Sequence, residues 1–227
     1  MRRVRETDPA VPAWRPPMIG AVVPTLVTRQ EYFTSAVEIL STEGFRGLQV
    51  VKLCKAMGIT TGSFYNYFRN LKDFTAEFLT TWRQDLTKQL IEAAELVDEP
   101  AERLRKLADM AKDIPHEAEA AIRAWSKVDP MVQAVQEEVD DLRLGLLRRA
   151  VLNASPNDPD ADRLAALGLS IVVGAQQLRS PVNFDDLKWA LDQYVELVLA
   201  RGAQQVGLTP QDKAALPAPR RQAPPRR

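Results

Sequence analysis

The sequence predicts an all-α protein of about nine helices, with a small amino-terminal three-helix domain of helix-turn-helix layout and a larger helical domain after it. Three observations carry this. Apolar residues recur three and four apart in one segment after another. Cap residues and first-turn prolines mark where those segments start, and Gly or Pro marks where they stop. No segment alternates apolar and polar residues with the period of two that a half-buried strand shows.

Taken in order, residues 1–25 are rich in Pro and Arg and carry no periodicity, which predicts a disordered basic arm. Thr28 with Glu31 forms a capping box. It opens a helix whose Tyr32, Phe33, Ala36, Val37, Ile39 and Leu40 share helical spacing, and Gly44 ends it. A short helix is expected from Gln49 to Met57, broken by Gly58. A second short helix starts at Thr60, whose hydroxyl can cap it. A long helix is expected from Leu71 to Leu96, another from Pro100 to Ile114, and a third from Pro115 through Trp125. Asp129-Pro130 is a cap followed by a first-turn proline and opens a helix to Asn153. The segment SPNDPD is a turn. Two helices follow, Pro159 to Leu178 and Phe184 to Ala203, separated by Ser180-Pro181. The expected division is a basic arm at 1–25, a helix-turn-helix domain at 26–72, a ligand-binding and dimerisation domain at 73–204, and a disordered Pro/Arg tail at 205–227.

A chain of 227 residues can bury a substantial core. Its net charge is zero, so bulk electrostatics gives no attraction for a polyanion. The lone Cys54 excludes an intramolecular disulfide and suits a reducing cytoplasm. No apolar run approaches the ~20 residues of a membrane span, and the amino terminus lacks the apolar centre of a signal peptide. A soluble, cytoplasmic protein is expected.

The charge is distributed unevenly. The stretch Phe45 to Lys72, FRGLQVVKLCKAMGITTGSFYNYFRNLK, holds Arg46, Lys52, Lys55, Arg69 and Lys72 and no carboxylate, a local +5. Two short helices joined by a tight glycine turn have the helix-turn-helix layout. Val50, Leu53 and Cys54 give the first an inward face, on which Cys54 reads as inert core. Ile59, Phe64 and Phe68 pack the second against it, which leaves Thr61, Ser63, Tyr65, Asn66 and Tyr67 to face outward. Hydroxyls and helix amino-terminal N–H groups grip phosphates. Gly62 permits close backbone approach, tyrosine phenols reach phosphate or thymine methyls, Asn66 can read a base edge, and Lys72 can pin a phosphate.

The run GFRGLQVVKLCKAMGITTGSFYNYFRN resembles the signature of the tetracycline-repressor (TetR) family: the Met57-Gly58 turn, then Thr60, Thr61, Gly62, Ser63, Phe64, Tyr65 and Phe68. The stretch EAAIRAWSKVDPMVQAVQEEVDDLRLGLLRR, with Arg123, Trp125 and the Asp129-Pro130 start, is similar to the ligand domain of one branch of that family, so the resemblance spans about Thr28 to Ala203. It implies a homodimeric transcriptional regulator, not an enzyme, that binds double-stranded operator DNA and is released by a small-molecule effector. The implied DNA contacts are Gln49, Thr60, Thr61, Gly62, Ser63, Tyr65, Asn66, Tyr67 and Lys72. Two departures stand out. Leu48 and Gln49 occupy positions where relatives carry a small hydroxyl residue, with Gln49 the candidate replacement. Leu71 stands where relatives carry a basic residue, with Arg69 and Lys72 nearby to compensate.

The segment RLAALGLSIVVGAQQL is apolar nearly all round, so it must bury two faces, one against the core and one against a partner. The expected dimer interface is Leu164, Gly168, Ile171 and Ala175 with Leu187, Leu191, Tyr194 and Val198, and Gly174 and Ala165 are further small residues that permit close approach. The resemblance also implies an effector pocket, for which Phe78, Trp82, Met110, Trp125 and Met131 are the candidate lining. His116 is expected at the surface or as a helix cap. Glu137, Glu138, Asp140 and Asp141 spread round their helix and read as a solvated face, so neither a metal nor a cofactor is expected. Two other readings fit an all-α chain: a helical interaction protein that does not bind DNA, and an all-α metal-dependent enzyme built on those carboxylates.

Overall fold

A computed structural model describes residues 27–95 and 97–205. The predicted basic arm and all but the first residue of the predicted tail lie outside them. The described residues form nine α-helices and no strand: α1 (Arg29–Glu43), α2 (Val50–Ala56), α3 (Thr61–Tyr65), α4 (Leu71–Glu95), α5 (Pro100–Met110), α6 (His116–Trp125), α7 (Pro130–Ala154), α8 (Ala161–Leu178) and α9 (Phe184–Gln205). A 3-10 turn, Phe45–Gly47, which the periodicity did not foresee, links α1 to α2. No helix among the described residues is long and apolar enough to cross a membrane.

The helix starts follow the local chemistry. Thr28 accepts from the Glu31 N–H while the Glu31 carboxylate takes the Thr28 N–H, the reciprocal pairing expected of a capping box. Asp129 accepts from the N–H groups of Met131 and Val132, with Pro130 behind it. The α5 helix stops at Met110, four residues short of the expected end, and Lys112 and Asp113 turn the chain toward α6.

Two apolar cores organise the molecule. The amino-terminal one is aromatic: Tyr32, Phe33, Phe64, Phe68, Phe74 and Phe78 pack together, with the Tyr32–Phe68 pair edge-on at 5.4 Å and Phe68–Phe74 at 4.9 Å. This core does not stop at residue 72. It takes in Leu79 of α4, Ala118, Ala121 and Ile122 of α6, and Val132 of α7. The second core lies among α5, α7, α8 and α9, around Leu104, Val151, Leu164, Leu187 and Val198. Helix α6 packs on both α1 and α8, so it bridges the two.

His116 is the first correction. It is buried, not superficial. Gln176 lies 3.3 Å from its Nδ1, and its ring meets Phe184 edge-on at 5.6 Å. The residues that cover it are 60 and 68 positions away, beyond the reach of local pattern.

The carboxyl end of α7 and that of α9 are tied by charge. Asp158, its side chain fully buried, receives both guanidinium nitrogens of Arg201 at 2.8 and 2.7 Å, the Ser155 hydroxyl at 3.0 Å and the Asp160 N–H at 3.0 Å. The Arg201 hydrogen bonds hold the Asp158 carboxyl well below the usual carboxylate range. A depressed folded pKa stabilises the fold above the unfolded pKa of about 3.9, and that contribution drains away as pH falls below it. Arg201→Met should therefore lower Tm at pH 7, and its deficit relative to wild type should narrow below about pH 4. Thermal melts across pH 7 to 3 check this, and a pH-independent deficit contradicts it.

Candidate nucleic-acid interface and interior cavity

Helix α2 presents Leu53 and Cys54 inward, both buried, with Val50 half-buried beside them. Burial pushes the Cys54 thiol pKa up, which disfavours the reactive thiolate. Gly58 then turns the chain at φ +68°, a left-handed conformation that favours glycine, and Thr60 caps α3 by accepting from the Ser63 N–H at 3.3 Å. Phe64 and Phe68 anchor α3 in the aromatic core. Arg29 of α1 secures its far end: the guanidinium donates to the Tyr67 carbonyl at 3.2 Å, lies 5.0 Å from the Phe68 ring centre and pairs with Glu77 of α4. The short helix is thus clamped on its inner side.

Its outer side is free. Gln49, Thr60, Thr61, Gly62, Tyr65, Asn66 and Lys72 are exposed, Tyr65 by 59%. A Cβ added at Gly62 would meet only the Thr60 hydroxyl oxygen, at an ordinary 3.6 Å. Nothing inside the protein requires glycine there, and its bareness faces outward. Ser63 is half-buried and holds the Thr60 hydroxyl at 3.1 Å. Tyr67 is half-buried too, because its ring packs 5.6 Å from Tyr32, so it presents less surface than an outward-facing residue. The Gln49 amide donates to the Arg46 carbonyl at 3.2 Å.

The +5 charge of this stretch is smaller in three dimensions. Lys52 pairs with Glu43 and Arg69 with Asp73, carboxylates that lie just outside the stretch in sequence. Arg46, Lys55 and Lys72 have no carboxylate partner within 4 Å among the described residues. Exposed pairs of this kind are worth ~0–1 kcal/mol, so a polyanion can recapture the paired cations at low cost. Sequence reasoning passed over Val51, 67% exposed on α2, and counted Lys55, one turn along the same face, only toward the local charge. The available signal was phase: Val51 is out of step with Val50, Leu53 and Cys54.

A cavity of about 100 Å³ lies in the second core. Leu86 of α4, Leu107 of α5, Leu146 of α7, Val172 of α8 and Leu191 of α9 make most of its wall. Of the five expected pocket residues only Met110 lines it. Phe78, Trp82, Trp125 and Met131 pack in or against the amino-terminal core instead, with Trp125 stacked on Phe45 at 6.0 Å. Aromatic size marked them as large and apolar but did not say which core they fill.

The expected dimer surface also needs correction. Leu164, Leu187, Leu191, Tyr194 and Val198 are buried within the protomer, and Gly168 lies against the Tyr194 ring, where a Cβ would come within 2.8 Å of it. Ala165 is buried as well, and Ile171 and Ala175 are half-buried against the second core. The exposed large apolar residues of these same helices are Leu167 and Leu178 on α8 and Phe184, Trp189 and Leu197 on α9. Gly174, with open space where a Cβ would stand, is on α8 between its two exposed leucines. The carboxylate run of α7 is engaged by neighbours: Asp140 holds Arg123 at 2.7 and 2.8 Å, and Glu138 pairs with Arg83.

Among the described residues, α2 and α3 have the layout of a helix-turn-helix, clamped inside and bare outside, with further helices after it. Residues 33–76 match the family model described as bacterial regulatory proteins, tetR family, a stretch that contains the Gly58 to Phe68 signature. The whole described fold agrees. A transcriptional regulator from Rhodococcus sp. Rha1 superposes with a TM-score of 0.65 at 19% identity, covering 77% of this chain and 97% of that one. A TetR transcription regulator from Haloarcula marismortui gives 0.64 at 18%, covering 76% and 96%. A transcriptional-regulator structure from Saccharomonospora viridis in complex with choline gives 0.64 at 15%, covering 74% and 95%. A comparison with curated proteins found no match by sequence.

Proposed function

We propose that this protein is a sequence-specific transcriptional regulator that binds operator DNA as a homodimer and leaves it when a small molecule enters the α5–α9 cavity. It is not an enzyme in this reading, and it acts in the cytoplasm. The observation that carries the reading is the outer face of α3. It combines a bare glycine, hydroxyls and Tyr65 on an element whose inner side is fully committed to packing, with Asn66 just after it and Lys72 at the start of α4. Such a face suits phosphate contact and base-edge reading in a major groove.

One short recognition helix reads few bases, so a two-fold dimer that sets two of them about one helical turn apart is the natural device. Leu167, Leu178, Trp189 and Leu197 supply the apolar surface for it. The domain division follows the same logic, with residues 26–72 on DNA and 73–204 for effector and partner. Release works as a population shift. A ligand favours one packing of the second core, α6 carries the difference to α1, and the spacing of the two readers changes.

Sequencing the genomic fragments retained by the purified full-length chain tests this. The expected result is an inverted repeat with half-sites about 10 base pairs, or a little more, apart. Retention without any sequence enrichment, or none above background, overturns it.

A further inference from the structure

We propose that the cavity recognises a small, uncharged, largely apolar molecule carrying one hydrogen-bond-accepting oxygen, and that the Tyr194 hydroxyl is the group that recognises that oxygen. This rests on the reading of the cavity as the effector site and adds the ligand's chemistry to it.

Size comes first. A cavity of about 100 Å³ is roughly two-thirds of the ~150 Å³ apolar void that takes up benzene. It is too small to enclose a six-atom ring completely, but Gln89 on its wall is exposed, so a body of about six non-hydrogen atoms can enter with one edge at that opening.

Polarity comes next. Among the described residues, only Gln89, Arg143 and Tyr194 bring polar side chains to the wall. Gln89 is exposed and can bond to water. Arg143 is already committed, because its guanidinium donates to Glu119, itself buried on α6. The second Glu119 oxygen accepts from Gln176 at 3.3 Å. A ligand carboxylate that drew Arg143 away would leave Glu119 charged, buried and without its cation, and a ligand cation would enter an apolar space with no free anion. The wall therefore selects against charge of either sign.

Tyr194 is different. It is 4% exposed, and its hydroxyl has no hydrogen-bond partner among the described residues. That hydroxyl sits where Gly168 lines the cavity, 3.0 Å from the position a Gly168 Cβ would take. A buried donor left unpaired is unfavourable, and an incoming oxygen acceptor relieves it. Burial also pushes the phenol pKa up to about 12, so it remains a neutral donor at any physiological pH.

The test uses four probes of six heavy atoms, titrated into the full-length protein without DNA and followed by the Met110 methyl signal at the cavity wall. Cyclopentanone carries the acceptor, and methylenecyclopentane has the same shape without it. Cyclopropanecarboxylate and cyclopentylammonium carry charge. Cyclopentanone should bind about fivefold tighter than methylenecyclopentane, the usual net worth of one neutral hydrogen bond. In Tyr194→Phe that preference should be lost and methylenecyclopentane should bind the tighter of the two, because the ketone oxygen is then buried without a donor. That variant removes only an unpartnered hydroxyl, so its Tm should not fall. Both charged probes should bind more weakly than cyclopentanone. Equal binding of the two neutral probes by the wild-type protein overturns the inference, whatever the variant does. So does an unchanged ratio in the variant, tighter binding of a charged probe, or no binding by any of the four. A protein that takes cyclopentanone through Tyr194 but retains no DNA refutes the regulator reading alone. One that selects an operator but ignores the Tyr194 hydroxyl refutes this inference alone.

Discussion

Replacing Tyr65 and Lys72 together with Ala is expected to weaken operator binding by about three orders of magnitude or more while leaving Tm unchanged. Both side chains are exposed on the outer face of the helix-turn-helix, and neither belongs to the aromatic core beneath it. Surface changes of that kind shift stability by about 0.5 kcal/mol or less. On DNA the arithmetic is different. A groove or phosphate contact contributes on the order of 1–2 kcal/mol, and two-fold symmetry counts it twice. The two losses are separable by salt. In the proposed complex Lys72 neutralises one phosphate in each half-site, so Lys72→Ala alone should reduce the slope of log K against log salt by about 2. Tyr65→Ala should weaken binding and leave that slope in place. Lys188 on α9, paired with Asp192, is the control: its removal takes away the same charge and should change neither quantity. Binding of the double variant at wild-type strength would remove α3 from the interface.

The parts of this architecture written in the sequence are those decided within a turn or two of chain. The Thr28–Glu31 box, the Asp129-Pro130 start and the Thr60 cap are local hydrogen-bonding choices, and each stands where its residues put it. The clamp of Phe64 and Phe68 follows from spacing alone. Surfaces made by distant segments were not legible in the same way. Periodicity shows that α8 is apolar on two faces, but not which face its own chain already covers. Tyr194, Leu191 and Leu187 cover the one that had been assigned to a partner, and Leu167 and Leu178 remain outside. The cavity follows the same rule, since its wall draws on five helices from α4 to α9 and Leu107, Leu146 and Val172 look like any other core residues. The charge of the DNA face was overestimated for a related reason. Glu43 and Asp73 flank the carboxylate-free stretch in sequence and fold back onto Lys52 and Arg69.

The largest stability effect expected of a single methyl group is at Gly202. A Cβ there would lie 2.1 Å from the Ala154 carbonyl oxygen and 3.3 Å from the Ser155 Cα. Both are backbone atoms, so no flexible side chain can step aside. The backbone they belong to is fixed from several directions: the Ser155 N–H donates to the Val151 carbonyl at 2.7 Å, the Ser155 hydroxyl to Asp158, and Arg201 next to Gly202 grips that same Asp158. Gly202→Ala must therefore lift the end of α9 off the end of α7 and disturb the buried ion pair with it. Overpacking of this kind costs about 3 kcal/mol, which for a chain of this size lowers Tm by roughly 6–12 °C. Gly145→Ala, in the middle of α7, is the counterpart. Its Cβ would meet only the Arg149 guanidinium at 3.9 Å, and alanine is the better helix former by about 1 kcal/mol, so Tm should hold or rise. Read locally, a glycine near a helix end suggests a stop, yet α9 continues through Gly202 to Gln205. What requires glycine there is the backbone of α7, some fifty residues earlier in the chain, and two melting curves decide whether that close approach exists.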